Sequence, residues 1–345
     1  MPGPDRIKRM SRFRKVYALA PAGVATGGVE LVHQLVDELI GLGQEAYVVY
    51  VEGDGVAKGV TVPESYRKYR LSTAETIEDS ADNMLVLPEI YFDFIYKYTS
   101  IRIGCWWMSV DNHYYSACLK DMLRFHPRWR DKASKLYWYL KGKIRFRNSL
   151  DDLKRQSGRI VHFYQSIYAQ NHLYRNGFET VLPLSDYVHP DLFASGGGAK
   201  EDIILYNPKK GKKYVERLME LLPDRSFIPL QGMTREELNR VFDRAKLYVD
   251  FGAFPGKDRI PREAVLHGCC LITGKFGASA FYEDVPIPGA YKFDLEKGRP
   301  WGDIVRQVED IFARYDFHTG QFDWMRARIG RERETFRRET ADFFL

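Results

Sequence analysis

Glu263 lies in the segment of this chain whose residue types and spacing come nearest to a chemical site. The string YVDFGAFPGKDRIPREAVLHGCCLITGKFGASAFYEDVPIP, 248–288, reads as a strand ending at Gly252 and a Gly/Pro loop. A helix follows with Glu263 in its first turn, closed by Gly268, and then a second strand, CCLITG. Loops at strand carboxyl ends that feed helix N-termini are where α/β sheets hold phosphorylated ligands. A carboxylate at that point can accept hydrogen bonds from a ribose diol, or simply cap the helix with the help of its dipole. Asp258 and Arg259 stand in the same loop. Arg259 could neutralise a departing diphosphate, or pair with Asp258 or Glu263.

Other residues fit the same chemistry less specifically. Lys209 and Lys210 follow the strand DIILY and precede Gly211, where lysine can meet phosphate or face solvent as part of a turn. Gly27 and Gly28 close the turn PAGVATGG between a short apolar strand and a helix, so backbone amides there could approach a phosphate or a second substrate closely. Asp111 and His113 follow an apolar strand, where polar side chains are expected to face a cleft. General acid/base work or acceptor contact is one reading of them, and a buried hydrogen-bonded pair is the other. His162, His172 and His189 lack ligand spacing, and the four cysteines (105, 118, 269, 270) form no CxxC pair. A zinc site and a disulfide framework are therefore both unsupported.

The elements that must carry these residues alternate. Lys15–Ala20 reads as a strand and the apolar positions from Val29 to Ile40 as a helix ended by Gly41 and Gly43. Ala46–Val51 reads as the next strand, which completes a βαβ unit. Strands are expected at 83–87, 101–107, 159–165 and 180–184, with helices at 119–155 and 167–176. The pattern restarts after SGGGAKED, 195–202, with strands at 202–206, 226–230, 246–250 and 271–273 and helices at 210–222, 234–244 and 261–267. The end, 302–345, is helical and charged. With 345 residues, two α/β domains joined near residue 200 are expected: 1–198, then 199–318, with helices 319–345 packing back on the first.

Composition excludes disorder, collagen and a disulfide scaffold: 45% of residues are hydrophobic and 28% charged. No run approaches the ~18 apolar residues of a membrane span, and the basic N-terminus has too short an apolar run for a secretory signal. A cytoplasmic protein is expected, peripheral at the inner face of a membrane if it meets one. The net charge is +6, but residues 119–159 hold thirteen cations against four anions, +9, and the remainder nets −3. Trp129, Tyr137, Trp138, Tyr139 and Phe146 interleave with those cations. An anionic membrane surface, a polyanion such as nucleic acid, or a solvated helical pair all fit this segment; no nucleic-acid-binding signature accompanies it.

The 248–288 string resembles the donor domain of GT-B glycosyltransferases, in particular the retaining family 4-like group. That group carries two glutamates separated by seven residues, followed by a helix and a Gly-Cys strand entry. Glu263, Ala264, Gly268 and Cys269 match the second half of the signature, and Gly256 matches the glycine after the first glutamate. Pro255 stands where that first glutamate is expected, and Asp258 is the candidate substitute. Residues 21–49 resemble the family's first strand, glycine loop and helix, and 204–211 its donor-domain opening, where Lys209 and Lys210 match the residues set against the diphosphate. The resemblance implies two Rossmann-like domains facing a cleft. It implies a nucleotide-diphosphate sugar donor, held through Gly27, Gly28, Lys209, Lys210, Gly256 and Glu263, with Asp111, His113, Asp258 and Arg259 nearest the chemistry. A glycan or lipid-linked acceptor and a metal-independent, retaining transfer follow from it, and the absence of an Asp-x-Asp motif agrees. Another GT-B-fold enzyme, such as a nucleotide-sugar 2-epimerase, or a non-catalytic nucleotide- or glycan-binding protein, is the alternative.

Overall fold

The structure, a computed structural model, describes residues 13–125, 129–142, 146–193, 198–298 and 300–345. Most of the basic N-terminal tail, part of the 195–202 linker, and Arg128, Lys143 and Arg145 of the basic segment lie outside the described residues. The chain forms two compact units. One comprises 1–165, 169–186 and 334–345, the other 166–168 and 187–333. The division falls at 186/187 where 198/199 was expected, and of the expected C-terminal segment only 334–345 joins the first unit.

The first unit is built on β1 (Val16–Pro21), α1 (Gly27–Gly41), β2 (Ala46–Glu52), β3 (Gly55–Val56), β4 (Met84–Pro88) and β5 (Arg102–Trp107). There follow α2 (Val110–His113), α3 (Leu119–Phe125), α4 (Trp129–Leu140), α5 (Leu150–Arg155), β6 (Ile160–Tyr164), α6 (Ile167–Arg175) and β7 (Val181–Pro183). The sheet order is β3-β2-β1-β4-β5-β6-β7, parallel except for the β2–β3 hairpin. Parallel strands covered on both faces must be apolar throughout, and VYALA of β1 and MLVLP of β4 are buried at every position. Helix α1 is buried along its whole middle because its acidic side is paired as well: Glu30 with Lys68 (3.0 Å), Asp37 with Arg70 (2.8 Å) and Glu38 with Arg337 (2.9 Å). Residues 334–345 complete this core, with Phe336 stacked on Trp106 and Phe343 and Phe344 against Phe163.

The second unit runs β8 (Glu201–Tyr206), α7 (Lys212–Leu221), β9 (Ser226–Pro229), α8 (Arg235–Arg244), β10 (Ala245–Asp250), α9 (Arg259–Leu266), β11 (Cys270–Gly274) and β12 (Lys292–Phe293). It closes with α10 (Trp301–Ala313), α11 (Tyr315–Gly320), α12 (Asp323–Gly330) and the start of α13 (Glu332–Phe344). Its five strands are all parallel in the order β12-β11-β10-β8-β9. Both sheets thus grow outward in both directions from their first strand, which creates one topological switch point in each, at β1/β4 and at β8/β10. No helix among the described residues is long and apolar enough to cross a membrane.

The first unit holds three histidines against aromatic rings, His113 and His162 buried and His172 half-buried. His113 lies 4.5 Å from Trp107 between ring centroids, the Trp107 indole donates to His162 Nδ1 at 3.0 Å, and His172 Nε2 meets the Tyr114 hydroxyl at 3.2 Å. Burial pushes their pKa values down, to about 3 for His113 and His162 and about 4 for His172. Each is neutral when folded and takes up a proton on unfolding below its ordinary pKa of about 6.5, so its contribution is intact above that pH and lost as pH falls. In chemical denaturation the histidines should therefore add a downward slope to stability from pH 7 to pH 4.5, opposed by buried Glu89 and Asp250, whose pKa values, raised to about 7 and about 6, favour the folded state as pH falls. Replacing His162 by Gln should reduce that slope by about one proton, and an unchanged slope would contradict the assignment.

Candidate functional site

The second unit's switch point is set by two loops that follow β8 and β10. Gly211, at the N-cap of α7, has φ +60°, and a Cβ there would lie 2.5 Å from the Phe251 carbonyl. From the other side, a Cβ on Gly252 would meet Lys210 Cβ at 2.5 Å. Only two glycines allow the loops to touch this closely. The contact brings Lys210 over Phe254 (5.3 Å from ammonium to ring centroid), where its ammonium forms a short ion pair with Asp258 and lies 3.4 Å from the Ala253 carbonyl. The far side of the β10 loop is fixed as well, since Ala278 N–H donates to the Phe254 carbonyl at 2.8 Å.

Helix α9 begins at that loop, with Asp258 at its N-cap and Pro261 in its first turn, where proline's missing N–H costs nothing. Glu263 is 1% exposed and has a guanidinium on each oxygen: Arg259 Nε at 2.7 Å from Oε1 and Arg235 Nη1 at 2.5 Å from Oε2. Arg235 is the first residue of α8, 28 positions earlier in the chain. Beneath the loop, buried Asp250 accepts from the Tyr248 hydroxyl (3.0 Å) and the Gly252 amide (3.1 Å), and burial raises its pKa to about 6. A second buried carboxylate, Glu332, holds the loop from its other flank, with Arg262 at 2.7 Å and Lys257 at 3.1 Å.

Of the residues expected from sequence, Lys210, Asp258, Arg259 and Glu263 come together here, and Gly256 is buried in the same loop. Lys209 is exposed beside them, its amide bonded to Asn207 Oδ1. Arg259 pairs with Glu263 and Asp258 with Lys210. In the first unit, Gly27 and Gly28 are the first residues of α1, and a Cβ on either would meet nothing within 4 Å. Protein packing therefore does not require glycine at those positions.

The expectation that Asp111 and His113 face a cleft is corrected for His113. Its ring is wholly buried between Phe92, Trp107 and Tyr114 and kept neutral, which removes it from solvent-coupled proton transfer. Asp111 is half-buried in α2. Sequence reasoning missed Arg235, Asp250, Glu332 and also Glu89. Glu89 follows β4 at the first switch point, is 4% exposed, accepts from the Met108 amide at 3.2 Å and has its pKa raised by burial to about 7. The signal for Glu89 was a carboxylate directly after an all-apolar strand. Among the described residues no group of three or more His, Cys, Asp or Glu side chains could hold a metal ion.

Solved structures share this fold. TarM of S. aureus, in complex with fondaparinux, alpha-GlcNAc-glycerol and UDP, matches 78% of this chain at 11% identity and a TM-score of 0.54. The catalytic domain of starch synthase IV from Arabidopsis thaliana, bound to ADP and acarbose, matches 96% at 10% identity and 0.54. Sucrose-phosphate synthase from Thermosynechococcus elongatus matches 96% at 11% identity and 0.51. The chain has the GT-B fold. It spans 56% of the TarM chain, 100% of the starch synthase domain and 95% of sucrose-phosphate synthase. No family model matches the sequence, and no curated protein does. At these identities the GT-B fold is shared while the side chains of the site are this chain's own.

Two glycines of this GT-B chain should respond oppositely to alanine. Gly211→Ala combines a left-handed backbone with a backbone clash and should cost more than about 2 kcal/mol in urea unfolding. Gly28→Ala, in open space within a first helical turn, should change stability by less than about 1 kcal/mol.

Proposed function

We propose that this protein is a glycosyltransferase. It moves a sugar from a nucleotide-diphosphate donor to a hydroxyl of a glycan or lipid-linked acceptor, in polysaccharide or glycoconjugate biosynthesis. The observation that carries this reading is the buried Glu263 of α9, held at the β8/β10 switch point among Arg235, Arg259 and the Lys210–Asp258 pair. UDP in the TarM complex and ADP in the starch synthase complex support a nucleotide at this fold's donor unit. Family 4-like membership, a retaining outcome and metal-independent chemistry are carried over from the resemblance of 248–288.

Transfer breaks the bond between the anomeric carbon and the diphosphate and forms one to the acceptor oxygen, so negative charge gathers on the leaving group. Fixed cations stabilise that charge without having to reorganise. Lys209, Lys210 and Arg259 are assigned to the diphosphate, with Arg235 beside them. Glu263 takes the ribose hydroxyls and keeps its arginines in place. Asp258, standing in for the glutamate absent at Pro255, holds Lys210 and meets the donor sugar; Gly256 leaves room for it. Gly27 and Gly28 offer open amides at the start of α1 to a phosphate or to the acceptor, with Asp111 on the acceptor side. The site of work is the cytoplasm, at the inner face of a membrane met through segment 119–159.

Calorimetry with UDP, GDP, ADP and dTDP tests this. At least one should bind, and Glu263→Gln and Lys210→Ala should each weaken it about tenfold or more, as loss of a charge-assisted hydrogen bond does. Thermal unfolding of the same variants separates affinity from folding. Absence of binding to all four nucleotides would sink the proposal, as would an epimerised donor accumulating without acceptor.

A further inference from the structure

Helix α4 has its amphipathic order reversed. None of its twelve residues is buried. At helical spacing Trp129, Ala133, Leu136 and Leu140 fall on one stripe, and its two ends are the most exposed of the chain's large apolar side chains among the described residues, Trp129 at 73% and Leu140 at 74%. The opposite side holds Lys135, whose ammonium lies 4.0 Å from the Tyr115 ring centroid. A helix recruited to its own domain's core would turn its leucines inward and its lysines out. Arg130 and Lys132 border the outward stripe, Lys141 follows it, and Asp131 is the one anion in 129–141. Tyr137 (53% exposed) and Tyr139 (44%) stand beside it.

We propose that α4 is an interfacial anchor that lays the Trp129–Leu136–Leu140 stripe into the headgroup region of an anionic bilayer. The outward stripe with cations along its edges matches that surface in both polarity and charge, and tryptophan and tyrosine suit the headgroup level, while Trp138, 40% exposed, stands on the opposite side. A second copy of the chain would bring the same cationic patch against itself. A nucleic acid would meet the cations but give the outward leucines no apolar partner. The anchor takes its partner from the peripheral-membrane part of the proposed function and is independent of the transfer step.

The test uses the full chain and sedimentation with phosphatidylcholine vesicles, with or without about 30 mol % phosphatidylglycerol in about 50 mM salt. The wild type should sediment with the anionic vesicles only and be released at about 0.5 M salt. A combined Trp129→Ser, Leu136→Ser and Leu140→Ser variant should lose about tenfold of its bound fraction with an unchanged thermal midpoint, since none of the three is buried. Arg130→Glu with Lys132→Glu should lose comparable binding. No sedimentation by the wild type would overturn the anchor, as would an undiminished serine variant. So would a solution dimer abolished by the serine substitutions, or binding to a single-stranded oligonucleotide in place of vesicles. Nucleotide calorimetry on the same samples keeps the two ideas apart. Nucleotide binding without vesicle binding overturns the anchor and the membrane location but leaves the transfer reading, and vesicle binding without nucleotide binding overturns only the transfer reading.

Discussion

The second unit depends on a close contact between two of its turns. The turn after β8 rests on the turn after β10, with Gly211 against the Phe251 carbonyl and Lys210 Cβ against Gly252. This approach sets the distance between the two strand ends, and with it the place of every charged group at the switch point. Lys210 reaches Asp258 because its own backbone is held against Gly252. The loop from Ala253 to Asp258 then has a fixed path, because Phe254 is bonded to Ala278 on its far side. Helix α9 inherits its starting point from that path, and Glu263 its depth.

Charge at this site is organised around buried carboxylates. Glu263 and Glu332 each hold two cations, and Asp258 holds Lys210. Ions removed from water are tolerated only with close partners, and removing one partner leaves the other uncompensated. The arginines and lysines are therefore in position before any anion arrives, and little reorganisation remains for a ligand to drive. Asp250, on the floor of the loop, is 3% exposed, and that burial raises its pKa to about 6.

Much of the fold was legible. The apolar runs VYALA, AYVVYV, MLVLP and IILY are strands because a parallel sheet covered on both faces admits little else, and β1, β2, β4 and β8 lie where those runs fall. Glu263 was picked out because the loop, helix and glycine stop around it are local in sequence. Arg235 and Glu332 were not, since their partners lie 28 and 70 positions away and a lone arginine or glutamate on a charged helix has no periodic signal. For a related reason the sequence leaves His113 open between cleft and core. The text after β5 shows that polar residues follow the strand, but not that a one-turn helix directs this one inward against Trp107. The seam near residue 200 was read from glycines, whereas the division at 186/187 depends on which core each flanking residue joins.

Phe336, Phe343 and Phe344 belong to the core of the first unit, packed on Trp106 and Phe163. On a ribosome those rings emerge only after residues 187–333 of the second unit have been made. The first sheet can pair its strands early, but Trp106 and Phe163 stay uncovered while the whole second unit is being made. Domains ordinarily fold in the order in which they are synthesised. Here the half made first is finished last, and it presents an open aromatic face to chaperones or to aggregation throughout that interval.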